Sequence, residues 1–190
     1  MTDATLLYAT QISLDGRMEA PGHDISWTDP DPELHAYMND LEDAATLSLY
    51  GRRTYELMES FWPTADEDPG APPEIAGYAR VWRESPKVVF SRTLDAVTGN
   101  ARLHRGEAAA EVARIKRATE GTIAVGGAHL AASLLRAGLL DELEVLVYPI
   151  ALGAGTPVLP QLTERARFEH VATRTFGAGV VSLRYRVSDR

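Results

Sequence analysis

Two apolar runs in this chain stop at glycine and pass at once into helical patterns, and that commits it to strands alternating with helices. The first reads Leu47-Ser48-Leu49-Tyr50-Gly51-Arg52-Arg53-Thr54-Tyr55-Glu56 and the second Thr122-Ile123-Ala124-Val125-Gly126-Gly127-Ala128-His129-Leu130. Strands separated by helices predict parallel neighbours. A helix start carries unpaired N–H groups and the positive end of the dipole, so it suits an anion. Glycine lets backbone approach that anion closely. Two such turns point to a nucleotide held by its phosphates, and so to an enzyme.

The rest of the chain follows the same alternation. Thr5–Ser13 reads as a first strand ending in the turn Leu14-Asp15-Gly16, followed by a polar loop over 16–32. Asp29-Pro30-Asp31-Pro32 starts a helix to about Asp43, then comes a strand over Thr46–Tyr50 and a helix from Arg53 to Ser60. Pro63–Pro73 reads as a surface loop, with a short helix near Ile75–Trp82 and a strand over Lys87–Ser91. Glu107–Ala118 is amphipathic. After the Thr122–Val125 strand, a helix with Leu130, Leu134 and Ala137 on its core stripe ends at Gly138. Leu143–Ile150 is a further strand, and Phe168–Thr175 with Val180–Val187 forms a closing hairpin around Gly177-Ala178-Gly179. The expectation is α/β: one domain over 1–190, with a mixed, mainly parallel twisted sheet, helices on both faces and a C-terminal antiparallel hairpin.

Several familiar sites are excluded by spacing. No G-x-G-x-x-G follows a strand, since Gly153-Ala154-Gly155 lacks a third glycine, and no P-loop lysine or G-x-S-x-G elbow occurs. With no cysteine and five scattered histidines, no metal site is expected. A net charge of -8 argues against nucleic acid and anionic membranes as partners. An anionic cofactor must therefore be drawn in by local arginines. The opening Met1-Thr2-Asp3-Ala4 has neither the basic segment nor the apolar stretch of a secretory signal, and nothing approaches a membrane span, so cytoplasm is expected.

Six short strings, in order and at strand ends, carry a resemblance. They are Ser13-Leu14-Asp15-Gly16, Gly51-Arg52-Arg53-Thr54-Tyr55-Glu56, Val88-Val89-Phe90-Ser91-Arg92, Val125-Gly126-Gly127, and Leu140-Asp141-Glu142-Leu143 with Pro149-Ile150-Ala151-Leu152-Gly153-Ala154-Gly155. Nearly the whole chain resembles the dihydrofolate reductase-like superfamily, in particular the group of the C-terminal reductase domain of bacterial riboflavin-biosynthesis deaminase/reductases, here stand-alone. The resemblance implies a three-layer fold, NADPH across the carboxyl edge of the sheet and a homodimer, to which the strand Leu143–Ile150 could contribute.

It also implies site residues. The cofactor set is Thr10, Leu14, Gly16, Gly51, Arg52, Arg53, Thr54, Ser91, Arg92, Gly126, Gly127, Ala128 and Leu130. Ser91 and Arg92 would hold the 2′-phosphate, which a planar guanidinium meets with a fork of donors. The alternatives are that Arg53 and Arg92 are solvated surface charges and that Gly126-Gly127 serves packing alone. Substrate would lie against Leu14, Asp15, Trp27, Leu34, Met38, Phe61 and Trp62, the aromatic residues among them serving either as stacking surfaces or as core anchors. The proton would come from water or from an acidic residue, for which Asp15 and Glu33 are the candidates. Asp15 can equally be a turn former and Glu33 a dipole partner, and a shift in alignment sets His35 in place of Glu33.

The chain departs from the riboflavin group in lacking its G-x-G-T strand end and downstream D-D-P segment, and it has no cysteines for the fused zinc deaminase. The expected function is NADPH-dependent reduction of a small heteroaromatic or carbonyl/imine compound. Alternatives are 5-amino-6-(5-phosphoribosylamino)uracil reductase, dihydrofolate reductase, or a non-catalytic nucleotide- or ligand-binding protein.

Overall fold

Apolar alternation on both faces of the central strands builds a sheet that must be covered twice. The computed structural model describes residues 3–188, so Met1 and Thr2 of the expected leaderless start lie outside the described residues. The strands are β1 (Thr5–Ser13), β2 (Arg17–Glu19), β3 (Ala45–Gly51), β4 (Lys87–Phe90), β5 (Ala101–His104), β6 (Thr122–Gly126), β7 (Glu142–Tyr148), β8 (Thr156–Pro157), β9 (Phe168–Thr175) and β10 (Val181–Val187). The helices are α1 (Pro32–Asp43), α2 (Arg52–Glu59), α3 (Pro73–Glu84), α4 (Ala108–Ala118) and α5 (Ala128–Arg136). The main sheet has the order β5-β4-β3-β6-β1-β7-β10-β9. Its first six strands are parallel, and β10 and β9 add as the expected antiparallel hairpin. This is the mixed, mainly parallel three-layer architecture read from the sequence.

Each face of the sheet carries its own core. Leu6, Tyr8, Leu49, Val88, Ile123 and Leu143 pack with Val112 and Ile115 of α4 and with Leu130 and Leu134 of α5. On the opposite face Leu146 and Tyr148 pack under Leu34 of α1, while Tyr50 and Val89 meet Tyr55 of α2 and Tyr78 and Trp82 of α3. Helix ends follow local chemistry. Asp31 caps α1 by accepting from the Leu34 N–H at 2.8 Å, with proline in the first turn. Gly138, with φ +70°, ends α5 as expected, its N–H and that of Leu139 returning to Leu135 and Leu134.

One buried carboxylate ties three elements together. Glu144 on β7 accepts from Tyr37 of α1 at 2.5 Å and Ser182 of β10 at 2.6 Å, with Arg184 3.8 Å away. Burial, followed by this carboxylate, pushes the Tyr37 hydroxyl up to about 12.

The structure also departs from the reading. β5 was not expected, because four residues after a glycine-containing loop show no clear period. β2 and β8 pair as a separate two-stranded ribbon too short to carry any pattern. α3 begins at Pro73 and takes in the end of the expected loop, since proline suits a first helical turn. The strand over Lys87–Ser91 stops at Phe90, where Ser91 starts a turn. β7 lies between β1 and β10 with most of its side chains buried, so within the Leu143–Ile150 stretch suggested for a homodimer interface the exposed residues are Pro149 and Ile150, beyond its end. Among the described residues no helix is long and apolar enough to cross a membrane.

Candidate active site

The two glycine turns stand side by side. β3 and β6 are hydrogen-bonded neighbours with Tyr50 opposite Gly126, so α2 and α5 start from adjacent strand ends. The chain leaves β3 towards β4 on one side and β6 towards β7 on the other, and the two helices pack on opposite faces. Such a switch point opens a crevice at the carboxyl edge of a parallel sheet.

The three glycines differ in what requires them. A Cβ on Gly126 would meet the Tyr50 ring at 2.4 Å. Gly127 has φ +108°, and a Cβ there would lie 2.7 Å from the Thr54 hydroxyl. Packing at Gly126, and packing with backbone conformation at Gly127, therefore require glycine whatever else the pair does. Gly51 is different: a Cβ there finds nothing closer than Leu130 at 3.9 Å. Its φ of -73° is open to any residue. Neither α2 nor α5 has a side-chain cap or an acid in its first turn, so their leading N–H groups face outward unneutralised.

Between the turns lies a cleft of about 230 Å³. One wall is Gly51, Arg52, Arg53 and Thr54 with Gly127, Ala128, His129 and Leu130; the other is Met18, Glu19 and Thr156 from the β2–β8 ribbon. Gly155, with φ +124°, lets that ribbon close up, since a Cβ there would meet the Glu19 carbonyl oxygen at 1.9 Å. Burial raises the Glu19 pKa, but hydrogen bonds from Thr156 and His23 and the charge of Arg53 outweigh it and hold the carboxyl below its ordinary value.

The basic residues are not equivalent. Arg52 pairs with Glu56 along α2 at 2.9 Å. Arg53 and Arg92 are exposed and have no ion pair among the described residues. Ser91 is buried, and its hydroxyl oxygen accepts from the N–H groups of Thr93 and Leu94 at 3.1 and 3.0 Å. Those bonds shape the turn that carries Arg92 and use the oxygen as acceptor; the O–H remains a donor, with the Thr93 hydroxyl 3.4 Å away. Thr10 is half-buried within β1, Gly16 (φ +75°) makes the turn after it, and Leu14 is 67% exposed at the same strand end.

Both expected proton donors are turned to other work. Asp15 accepts from Ser13 at 2.6 Å and from the backbone N–H groups of Leu152 and Gly153 at 3.0 and 2.8 Å. These bonds, that of Ser13 foremost, bring its pKa down to about 2, so it clasps two loops and is a poor acid near neutrality. Glu33 points outward to Arg174 of β9 at 2.8 Å. It lies at the helix start but faces the hairpin, not the cleft. Leu34 is corrected as well: it is fully buried beneath α1 and offers no surface to a substrate. Met38 packs against the same cluster. Trp27 stacks edge-on with Tyr148 at 5.5 Å, whereas Phe61 stays 53% exposed beside Trp62.

A parallel sheet with helices on both faces, a C-terminal hairpin and paired glycine turns at its switch point defines the dihydrofolate reductase-like class. Residues 4–182 match the family described as RibD C-terminal domain, and the chain belongs to that family. It is 30% identical over 175 residues to Uncharacterized protein YyaP of Bacillus subtilis (strain 168), covering 92% of this chain and 90% of that one. Among solved structures, a putative riboflavin biosynthesis protein from Shewanella sp. PV-4 superposes with TM-score 0.76 at 19% identity, over 97% of this chain and 99% of that one. A dihydrofolate reductase from Enterococcus faecalis complexed with NADP(H) gives TM-score 0.66 at 17% identity, over 99% of each chain. A deaminase/reductase from Thermotoga maritima gives 0.67 at 16%, over 98% of this chain but 57% of that longer one.

Proposed function

We propose that the protein is an NADPH-dependent reductase of a small heteroaromatic or carbonyl/imine compound. The observation that carries this reading is Gly51: it is a glycine at an uncapped helix start for which the protein's own packing gives no reason. A ligand approaching the backbone closely is a reason, and adjacent turns at Gly51 and Gly127 suit a pyrophosphate. Membership of the RibD C-terminal domain family and the NADP(H) named in the Enterococcus relative's complex support the same choice.

When bound, the cofactor supplies a hydride from its nicotinamide to an electrophilic carbon of the substrate. The chain's part is to bind, orient and exclude water. The leading N–H groups of α2 and α5 and the side chain of Arg53 hold phosphate, and unpaired Arg92 meets the 2′-phosphate. Leu130 and Met18 present apolar surface within the cleft, and the β2–β8 ribbon closes its open side.

Charge-assisted hydrogen bonds contribute roughly 1.5–3 kcal/mol each. Fluorescence titration should therefore show NADPH binding about ten- to a hundredfold tighter than NADH, and Arg92→Ala should abolish most of that preference. Equal losses for the two cofactors would remove Arg92 from the site. No binding of either at millimolar concentration would end the reductase reading and leave a protein that sequesters some other ligand.

A further inference from the structure

The segment between β4 and β5 carries Arg92 and has little framework of its own. Over residues 92–99 no backbone group makes a backbone–backbone hydrogen bond among the described residues. Three side chains hold the segment instead. Ser91 Oγ accepts from the N–H groups of Thr93 and Leu94, and the Tyr55 hydroxyl accepts from the N–H of Thr98 at 2.9 Å. The Arg105 guanidinium donates to the carbonyls of Arg92 and Asp95 at 3.4 and 3.0 Å. Among the described residues, the Arg105 bond is the one that reaches Arg92 itself.

Strand register explains how the two arginines meet. Gly51 pairs with Phe90, and Phe90 with His104. The residues that follow these three therefore leave adjacent strands at one level of the carboxyl edge, with Ser91–Arg92 beside Arg105 on one flank and Arg52–Arg53 on the other. Gly106 lets the chain fold over His104, since a Cβ there would lie 2.8 Å from His104 Nε2. The His104 ring is itself set edge-on against Phe90 at 5.4 Å.

Arg105 is exposed and has no ion pair among the described residues, so its recorded partners are the two carbonyls and no carboxylate. A planar fork spans two carbonyls three residues apart with its two terminal nitrogens, whereas an ammonium offers its donors from a single point. A loop without backbone ties must otherwise be ordered by the ligand, and that ordering is subtracted from affinity.

We infer that Arg105 is a positioning residue for the 2′-phosphate contact: by bridging the Arg92 and Asp95 carbonyls it holds the turn from which Arg92 reaches the phosphate. This deepens the reductase reading and rests on its assignment of Arg92.

The test places Arg105→Lys and Arg105→Gln in the wild-type and Arg92→Ala backgrounds. Fluorescence titration reads the preference for NADPH over NADH, and amide exchange of the free protein reads Thr93 and Leu94. Arg105→Lys keeps the charge and loses the bridge; it should cut the preference about five- to tenfold, the effect of one lost hydrogen bond, and Arg105→Gln should cut it at least as far. Exchange at Thr93 and Leu94 should rise in both. In the Arg92→Ala background the same changes should move the remaining preference by less than about twofold, because a residue that acts through Arg92 has nothing left to act on. Full preference in Arg105→Lys, unchanged exchange, or an equal loss with and without Arg92 overturns the inference and leaves the reductase reading standing. Wild-type protein that binds neither cofactor at millimolar concentration overturns both, a result obtained before any variant is compared.

Discussion

Replacing Gly126 with alanine separates packing from ligand binding when it is set against the same change at Gly51. Gly126 is not among the glycines with positive φ, so alanine there meets no backbone penalty and the cost is steric. The new methyl would lie 2.4 Å from two carbons of the Tyr50 ring, where carbon atoms normally keep about 3.5–4.0 Å. The ring has nowhere to go. Tyr50 is 4% exposed, packs on Trp82 at 5.3 Å and donates to Glu42, and Trp82 is itself held by Glu59 at 2.9 Å. Overpacking costs roughly 1–3 kcal/mol, and losing a hydrogen bond to a carboxylate adds about 1.5–3 kcal/mol. A loss near 4 kcal/mol lowers Tm by roughly 8–16 °C in a chain of this size. Gly51→Ala adds a methyl with no neighbour inside 3.9 Å and should leave Tm within about 2 °C. NADPH affinity should nevertheless fall at least tenfold, because the methyl occupies the approach to the α2 N–H groups. Thermal melts and fluorescence titrations of both variants decide the matter. A Gly126→Ala protein that melts with wild type refutes the packing reasoning, and a Gly51→Ala protein that binds NADPH normally refutes the close approach.

Other expectations follow from the same geometry. Asp15 has its pKa lowered from 3.8 to about 2, so its clasp stabilises the fold above the ordinary value and is lost as pH falls towards about 2. The Tm gap between wild type and Asp15→Asn should narrow over that window, and a gap independent of pH would contradict the clasp. Glu144→Leu strands the Tyr37 and Ser182 hydroxyls in the core and should cost about 2–4 kcal/mol in urea melts, with Glu144→Gln much milder. Gly155→Ala forces the β8 side of the ribbon off the Glu19 carbonyl; amide exchange at Met18 and Glu19 should rise, and unchanged protection would show the ribbon to be held otherwise.

Much of the frame was legible because it rests on local signals. Runs such as Leu47–Tyr50 and Thr122–Val125 ending at glycine, the Asp31-Pro32 helix start and the Gly138 stop depend on residues within a few positions of one another. What escaped was short or non-local. Three or four residues of β2 or β5 carry no period, and they become strands only because a distant partner lies alongside. The proton-donor candidates failed for a related reason. Composition shows that Asp15 and Glu33 are acids, but not that one would be captured by the N–H groups of Leu152 and Gly153 and the other by Arg174.

Sequence by itself determined the order of the helices and longer strands, the class of sheet and the two glycine turns, since backbone sterics and apolar period act over a turn or two of chain. Only the tertiary structure decided that those turns touch and that Gly126 is held by Tyr50 while Gly51 is free. Those facts depend on which side chains fill a given volume. That is settled by packing between residues far apart in the chain.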